Sequence, residues 1–339
     1  MKTIGSTLLL FVLGLNLLFS QWRGYDVYRC GAKGIATGAA FTAVADDVSA
    51  VYFNPAGLIQ TKKFSIFYTL DGQIKIITLL DTKMKLTYKV PALLGFVYPF
   101  EDKYHTTIAF AASSPFQRKI PLEFAVYKFA PVISSEIIRD LAVGFSPGLV
   151  YATYIGRSSS SDAWGFGYQF GLLYKLAKKS RLGLNYQSRI PVEWQGDITE
   201  TFPDIITVGA ATLLTEKLVG SFDLEYQNWK SAEYIENGLQ LVPADNIKNG
   251  LFKTIHPHIG IMFLEEQTGA HIRTGFFTDS FIHADGSNET QFLWSFGVGA
   301  YAFSIVKIEA ALVDSYIMHL FNDSNNRIET IQVTIEYQF

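Results

Sequence analysis

From Phe64 to the C-terminus, apolar and polar residues alternate with a period of two. Between Trp164 and Leu176 the even positions are Trp164, Phe166, Tyr168, Phe170, Leu172, Tyr174 and Leu176, while the odd ones include Gly165, Gly167, Gln169, Gly171 and Lys175. One face is greasy and the other is small or polar, which is the signature of a β-strand with two different environments. Arg181 to Arg189 repeats it, with Leu182, Leu184 and Tyr186 opposed to Arg181, Gly183, Asn185, Gln187 and Arg189. At the C-terminus Ile331, Val333, Ile335, Tyr337 and Phe339 alternate with Gln332, Thr334, Glu336 and Gln338. A soluble sandwich also alternates, but these runs are about ten to fourteen residues long, nearer to tilted membrane strands than to the five or six usual in soluble sheets.

The pattern predicts strands near 63–78, 84–100, 104–113, 121–131, 141–156, 162–177, 180–195, 203–214, 217–231, 253–264, 269–278, 291–303, 306–317 and 328–339, an even total of fourteen. Most connections after even-numbered strands are tight, as at Glu101-Asp102-Lys103, Lys178-Lys179, Thr215-Glu216 and Ser304-Ile305. Those after odd-numbered strands are longer and polar, as at 232–252, 279–290 and 318–327. Short turns on one rim and long loops on the other are the asymmetry of outer-membrane barrels. Residues 114–140 read two ways, because Pro115, Pro121 and Pro131 fit either a kinked strand or a loop with a short helix over Glu136–Asp140.

Composition supports the barrel. Aromatic residues reach 15% and charged residues only 17%, against roughly 25% charged in soluble domains, and the mean hydropathy is +0.17. No run after the N-terminus approaches the roughly 18 apolar residues of a helical span. Residues 1–20 have a single Lys2, an apolar run from Leu8 to Phe19 and a small Ser20, which predicts a secretory signal peptide. Cys30 is the only cysteine, so no disulfide framework is expected, and Val27-Tyr28-Arg29 before it lacks the small residues of a lipid-anchor site. A net charge of −3 gives no reason to expect nucleic acid as a partner.

One stretch does not alternate. Gly31 to Leu58 is rich in Gly and Ala, carries Asp46 and Asp47, and closes on Asn54-Pro55-Ala56-Gly57. Small side chains allow close backbone approach, and Pro55 removes Asn54 from the helical region, so a compact plug ending in a fixed turn is expected over 21–62, ahead of a barrel over 63–339. Asp46 and Asp47 are expected to cap a short helix or to pair with lumen cations such as Arg189. No phosphate loop, C-x-x-C pair or G-x-S-x-G elbow is present, and an enzyme is not expected. His256, His258, His271 and Arg273 are expected to face the lumen. Strand positions two apart need a further ligand to close a metal geometry, so a hydrated lumen lining is the reading adopted, with no metal and no cofactor.

The stretch G-A-A-F-T-A-V-A-D-D-V-S-A-V-Y-F-N-P-A-G-L closely resembles the N-terminal hatch of the FadL-type outer-membrane transporters of long-chain fatty acids and other hydrophobic compounds. Gly183 to Ile190, Phe202-Pro203-Asp204 with Tyr226 to Trp229, and Arg273 to Asp279 with Phe292 to Trp294 and Tyr301 to Phe303 fit the same family. The chain is short for it, leaving small outer loops. The resemblance implies a fourteen-stranded barrel in the outer membrane of a diderm bacterium, holding the hatch in its lumen. It further implies passive uptake of a fatty-acid-like ligand that binds in an apolar pocket and leaves sideways into lipid as the hatch, with Asn54, Pro55, Ala56, Gly57, Asp46 and Asp47, shifts. Phe277 and Tyr301 would then line the pocket. A carboxylate head group in an apolar lumen needs a cation; Arg189 and Arg273, with Lys175 behind them, are the candidates, unless they pair with lumen acids such as Asp223 or Glu225. The competing reading is a barrel of the same fold that serves a secretion or assembly machine without moving lipid. The alternating strand ending in Phe339 also fits recognition by the barrel-assembly machinery.

Overall fold

The computed structural model describes residues 25–27, 29–75, 85–118, 123–155, 160–195, 198–229, 233–236, 239–240, 255–265, 269–282, 288–315 and 329–339. The expected signal peptide (1–20), the connection 318–327 and most of 232–252 lie outside the described residues.

A short strand β1 (Tyr25–Val27), helices α1 (Ala32–Ala36) and α2 (Ala50–Phe53) and a 3-10 turn (Pro55–Gln60) come first. The strands that follow are β2 (Ser65–Lys75), β3 (Lys85–Pro99), β4 (Thr107–Ser113), β5 (Phe116–Arg118), β6 (Glu123–Ile138), β7 (Leu141–Ile155), β8 (Ser160–Ala177), β9 (Ser180–Gln187), β10 (Ile190–Trp194), β11 (Ile198–Phe202) and β12 (Ile205–Leu213). The rest are β13 (Leu218–Gln227), β14 (Glu233–Glu236), β15 (Leu239–Gln240), β16 (Ile255–Leu264), β17 (His271–Ile282), β18 (Asn288–Ala302), β19 (Val306–Asp314) and β20 (Glu329–Gln338). Several wall strands are split in two, and the wall counts fourteen antiparallel strands. It closes where β2 pairs with β20, Ser65 opposite Gln338 and Ile66 opposite Tyr337, which removes the free edges that a membrane interior does not tolerate.

The outward residues are large and apolar: Phe96, Ile133, Leu149, Phe166, Ile259, Phe276 and Val298 are all exposed. A continuous apolar girdle of this extent is solvated by lipid and not by water, so the barrel is an outer-membrane barrel. Short turns at 100–106, 139–140, 178–179, 214–217 and 303–305, together with the C-terminus, share one rim. Phe64 stacks there on Phe339 with ring centroids 5.2 Å apart. In the first of these turns Asp102 accepts from the Thr106 N–H at 2.8 Å and from its hydroxyl, and these bonds hold its carboxyl below the usual range.

Over the described residues of 114–140, which are 114–118 and 123–140, the chain is the end of a kinked strand and a second strand, and no helix forms among them. β4 stops at Ser113, Ser114 and Pro115 leave the ladder, and β5 resumes with Phe116 turned inward. β6 runs through Pro131 to Ile138, which excludes the alternative of a short helix over Glu136–Asp140. The β6–β7 ladder lapses between Phe129↔Leu149 and Ile133↔Phe145. The same register sets Pro131 opposite Pro147, and neither has an N–H to give. At Asp140 the backbone turns through φ 66°, and its N–H is held by Glu136 Oε1 at 2.8 Å.

Two further irregularities reset which face looks inward. At Ser188–Arg189 the inward set changes from Gly183 and Asn185 to Ser188, Ile190, Val192 and Trp194; between Phe202 and Ile205 it changes back. A one-residue slip moves every later side chain to the opposite face.

Candidate functional site

Residues 29–58 fill the lower lumen and are almost all buried. Their backbone lies directly against the wall, because the wall offers glycine at the inward positions. A Cβ added at Gly144 would fall 2.3 Å from the Ala56 nitrogen, at Gly171 2.1 Å from Asn54 Oδ1, at Gly183 2.3 Å from the Thr42 carbonyl oxygen and at Gly260 2.2 Å from the Thr37 carbonyl oxygen. Gly275 meets Gly38 and Gly297 meets Ala36 in the same way. This belt runs through β7, β8, β9, β16, β17 and β18, and it admits a backbone where any side chain would exclude one.

Hydrogen bonds fix the plug in this belt. Asn54 is fully buried; its Nδ2 donates to the carbonyls of Thr42 at 2.8 Å and Leu172 at 2.9 Å, while Oδ1 accepts from the Ala56 N–H at 3.1 Å. One side chain therefore ties the turn to the plug and to β8. Ser134 donates to the Ala56 carbonyl at 3.1 Å, Pro55 opens the 3-10 turn, and Gly57 lies where a Cβ would meet the Ala45 carbonyl oxygen at 2.2 Å. At the other end Arg29 bridges Glu225 at 2.7 Å and Asp279. Between them, Asp223 accepts from the N–H groups of Phe41 and Thr42 at 3.0 and 2.9 Å. Asp47 accepts from the Ser49 N–H at 2.9 Å ahead of α2. Asp46 pairs with Lys33 of the plug itself at 2.7 Å and not with Arg189.

The expected head-group cations fall elsewhere. Arg189 is exposed on the outside of the wall, because the slip at Ser188 turns it over. Lys175 is exposed near the short turn at 178–179. Arg273 faces the lumen but holds Glu309 in a two-point contact of 2.5 and 3.2 Å, with Lys307 on the same carboxylate at 3.0 Å. Its partner is thus Glu309 and neither Asp223 nor Glu225. Phe277 is buried, with the Arg29 guanidinium 5.3 Å above its ring. Tyr301 is half-exposed just before the 303–305 turn, beside Gly269, and does not line an enclosed lumen. His256 and His258 do face inward; His256 bonds Thr278 at 3.2 Å and His258 lies edge-on to Phe277 at 5.8 Å. Among the described residues no three His, Cys, Asp or Glu side chains are grouped as metal ligands.

Above the plug the lumen changes character. Phe116, Val126, Val150, Ile190, Val192, Trp194, Phe202, Ile205 and Trp229 form one buried apolar cluster, in which Phe116 stacks on Phe202 at 4.6 Å. Beside this cluster the wall ladder is incomplete among the described residues. β3 pairs with β2 from Lys85 onward but with β4 only from Leu93 to Pro99, with one last bond from the Ser114 N–H to the Ala92 carbonyl at 3.1 Å before the chain turns away at Pro115. Two small cavities of about 10 Å³ each, room for roughly one water, sit where plug and cluster meet. The first is lined by Arg29, Phe53, Ile205 and Glu225, the second by Ser113, Pro115, Lys128 and Gln169, and Tyr52 and Gln187 line both. Lys128 was missed in the sequence, although it stands on a greasy run between Val126 and Ala130 where a buried charge is costly.

Over 93% of this chain, the structure superposes on the whole of a Pseudomonas aeruginosa FadL homologue, with a TM-score of 0.68 at 11% sequence identity. The fold is that of the FadL-type barrels. The Ralstonia pickettii toluene transporter TbuX gives a TM-score of 0.64 at 16% identity, covering 91% of this chain and 98% of that one. By sequence, 80 residues are 47% identical to the long-chain fatty acid transport protein of Escherichia coli O6:H1, covering 23% of this chain and 18% of that protein. The chain thus matches under a fifth of the length of its curated relatives. No family model matches.

Proposed function

We propose that the protein is an outer-membrane channel for passive uptake of hydrophobic small molecules, long-chain fatty acids among them. The ligand binds in the upper apolar lumen and leaves sideways into the bilayer when the hatch yields. The observation that carries this reading is the break at Ser114–Pro115, where a gap in the wall ladder lies beside an apolar cluster and above a plug held by hydrogen bonds. An alkyl chain gains about 0.8 kcal/mol per CH2 buried in lipid and gains nothing in a water-filled pore, so a lateral exit suits a greasy cargo. The named cargoes of the similar proteins, fatty acids and toluene, are of this class.

The test is uptake of a labelled fatty acid by cells or proteoliposomes carrying the protein, compared with empty controls. Uptake that equals the control would end the channel reading. A second reading, a barrel that serves a secretion or assembly machine, is favoured by the tight packing around Tyr52. It predicts no saturable binding of any alkyl or aromatic probe.

A further inference from the structure

Among the described residues, the buried side chains of the lumen offer one cation without an acid. Lys128 is 7% exposed on β6 and its Nζ lies 3.5 Å from Gln169 Oε1. No carboxylate pairs with it among the described residues, whereas Arg29, Arg273, Lys33 and Lys307 are each matched to acids. Keeping an ammonium in a closed lumen costs several kcal/mol unless an anion or a set of dipoles compensates. The wall nevertheless makes room for it: a Cβ at Gly148 would fall 2.5 Å from Lys128 Cε and 3.0 Å from Cγ, so the glycine on β7 is a groove for the lysine stem. The ammonium borders the cavity that also touches Ser113 and Pro115, at the break in the wall. On its other side Val126, one inward position along β6, and Val150, its cross-strand partner, open the apolar cluster.

We infer that Lys128 is the recognition site for the acidic head of an amphiphile, a carboxylate with an alkyl tail, on the exit side of the lumen. The inference rests on the channel reading above and names the residue that would distinguish an acidic from a neutral head group. The tail lies against the apolar cluster and the head replaces the water-sized space beside the ammonium. Tyr52 divides this cavity from the one at Arg29 and Glu225, so the cavity enlarges when α2 gives way, and the head group compensates the charge that the closed lumen leaves with only Gln169. An uncharged ligand of the same length gains the apolar contact and not the ion pair.

The experiment compares laurate with 1-dodecanol, the same chain with a neutral head, binding to the purified full-length barrel in neutral detergent. Wild type, Lys128→Met and Lys128→Arg are measured, each first confirmed as folded by heat-modifiable migration. Lys128→Met keeps the length and removes a buried charge, so insertion is expected to survive. The expected result is a roughly tenfold loss of laurate affinity in Lys128→Met, equivalent to 1.4 kcal/mol, with dodecanol changed less than twofold and laurate largely restored in Lys128→Arg. Unchanged laurate affinity, or equal weakening of both ligands, overturns the head-group role while dodecanol binding by wild type keeps the channel reading. A wild-type barrel that binds neither ligand overturns both.

Discussion

The lower and upper halves of this lumen are packed on opposite rules. Below, the wall presents glycine and polar side chains, and the plug meets it as backbone, fixed by Asn54, Asp223 and Arg29. Above, the wall turns Ile190, Val192, Trp194 and Phe116 inward, and the contacts are side chain to side chain without directional bonds. Hydrogen bonds and backbone cradles fix one position and fail sharply when displaced. Apolar contact is non-directional and tolerates repacking. Under the proposed function, the lower half holds a seal and the upper half accepts a variable guest. Each of the following changes strikes one half and reads the other.

The largest effect is expected from Arg29→Ala. It strands Glu225 and Asp279 as buried anions, and breaking a buried pair from one side costs about 3–5 kcal/mol. The barrel should still insert, since the Arg29 side chain takes no part in β19–β20–β2 closure and its carbonyl keeps the bond from Gln332, but the plug should loosen. Conductance to small ions in planar bilayers should rise severalfold, and protease should cut the chain between 29 and 58. Wild-type conductance with a protected plug would show that the seal does not depend on this bridge.

Next comes the glycine belt. Gly171→Ala sets a Cβ 2.1 Å from Asn54 Oδ1, whereas Gly220→Ala meets only the flexible tip of Leu214 at 3.0 Å. Overpacking against an anchored group costs about 1–3 kcal/mol, so Gly171→Ala should raise permeability to small polar solutes and Gly220→Ala should not. Equal behaviour of the two would mean that the belt is a passive consequence of strand composition.

The third change is Asn54→Ala with Pro55→Gly. It deletes three hydrogen bonds and frees the turn, at about 1–3 kcal/mol for the buried groups left unpaired. The inserted barrel should keep its heat-modifiable migration and change its rate of hydrophobic uptake. An inserted variant with wild-type uptake and no added permeability to small polar solutes would show that this stretch is not the gate.

The same contrast explains what was legible in the sequence. In the lower half, inside and outside differ in polarity, so alternation gives the strands, and Gly171 and Gly183 appear on the correct face. The plug is legible as the stretch where alternation stops. On β10 the sense of the alternation is inverted, with Ile190, Val192 and Trp194 inward and Arg189 and Glu193 outward, so nothing in the period marks the apolar set as inward when Leu182, Leu184 and Tyr186 before it look out. Parity carried through Ser188 sends Arg189 to the wrong side. Tyr301 has the right parity but lies at the rim, a matter of strand length and tilt that period alone does not encode. Lys128 carries a weak signal of its own, a single charge in an otherwise greasy strand, readable once that strand's inward face is known.

The smallest effect on stability, and the sharpest on the guest, is expected in the upper half. Phe116 follows the wall break directly and stacks on Phe202 with ring planes 16° apart. Phe116→Leu keeps most of the apolar volume and loses the stacking term, about 0.5–1.5 kcal/mol, so insertion, plug protection and ion conductance should all remain at wild-type levels. What changes is the shape of the surface offered at the exit. A flat ring that exchanges one aromatic partner for another leaves through a stacked pair at little cost, whereas an alkyl chain has no use for the plane. The ratio of toluene to laurate transport should therefore fall in Phe116→Leu while the laurate rate stays within about twofold, on the scale of that lost stacking energy. A ratio that does not move would show that cargo bypasses Phe116 and that the apolar cluster above the plug is core, packed for stability alone.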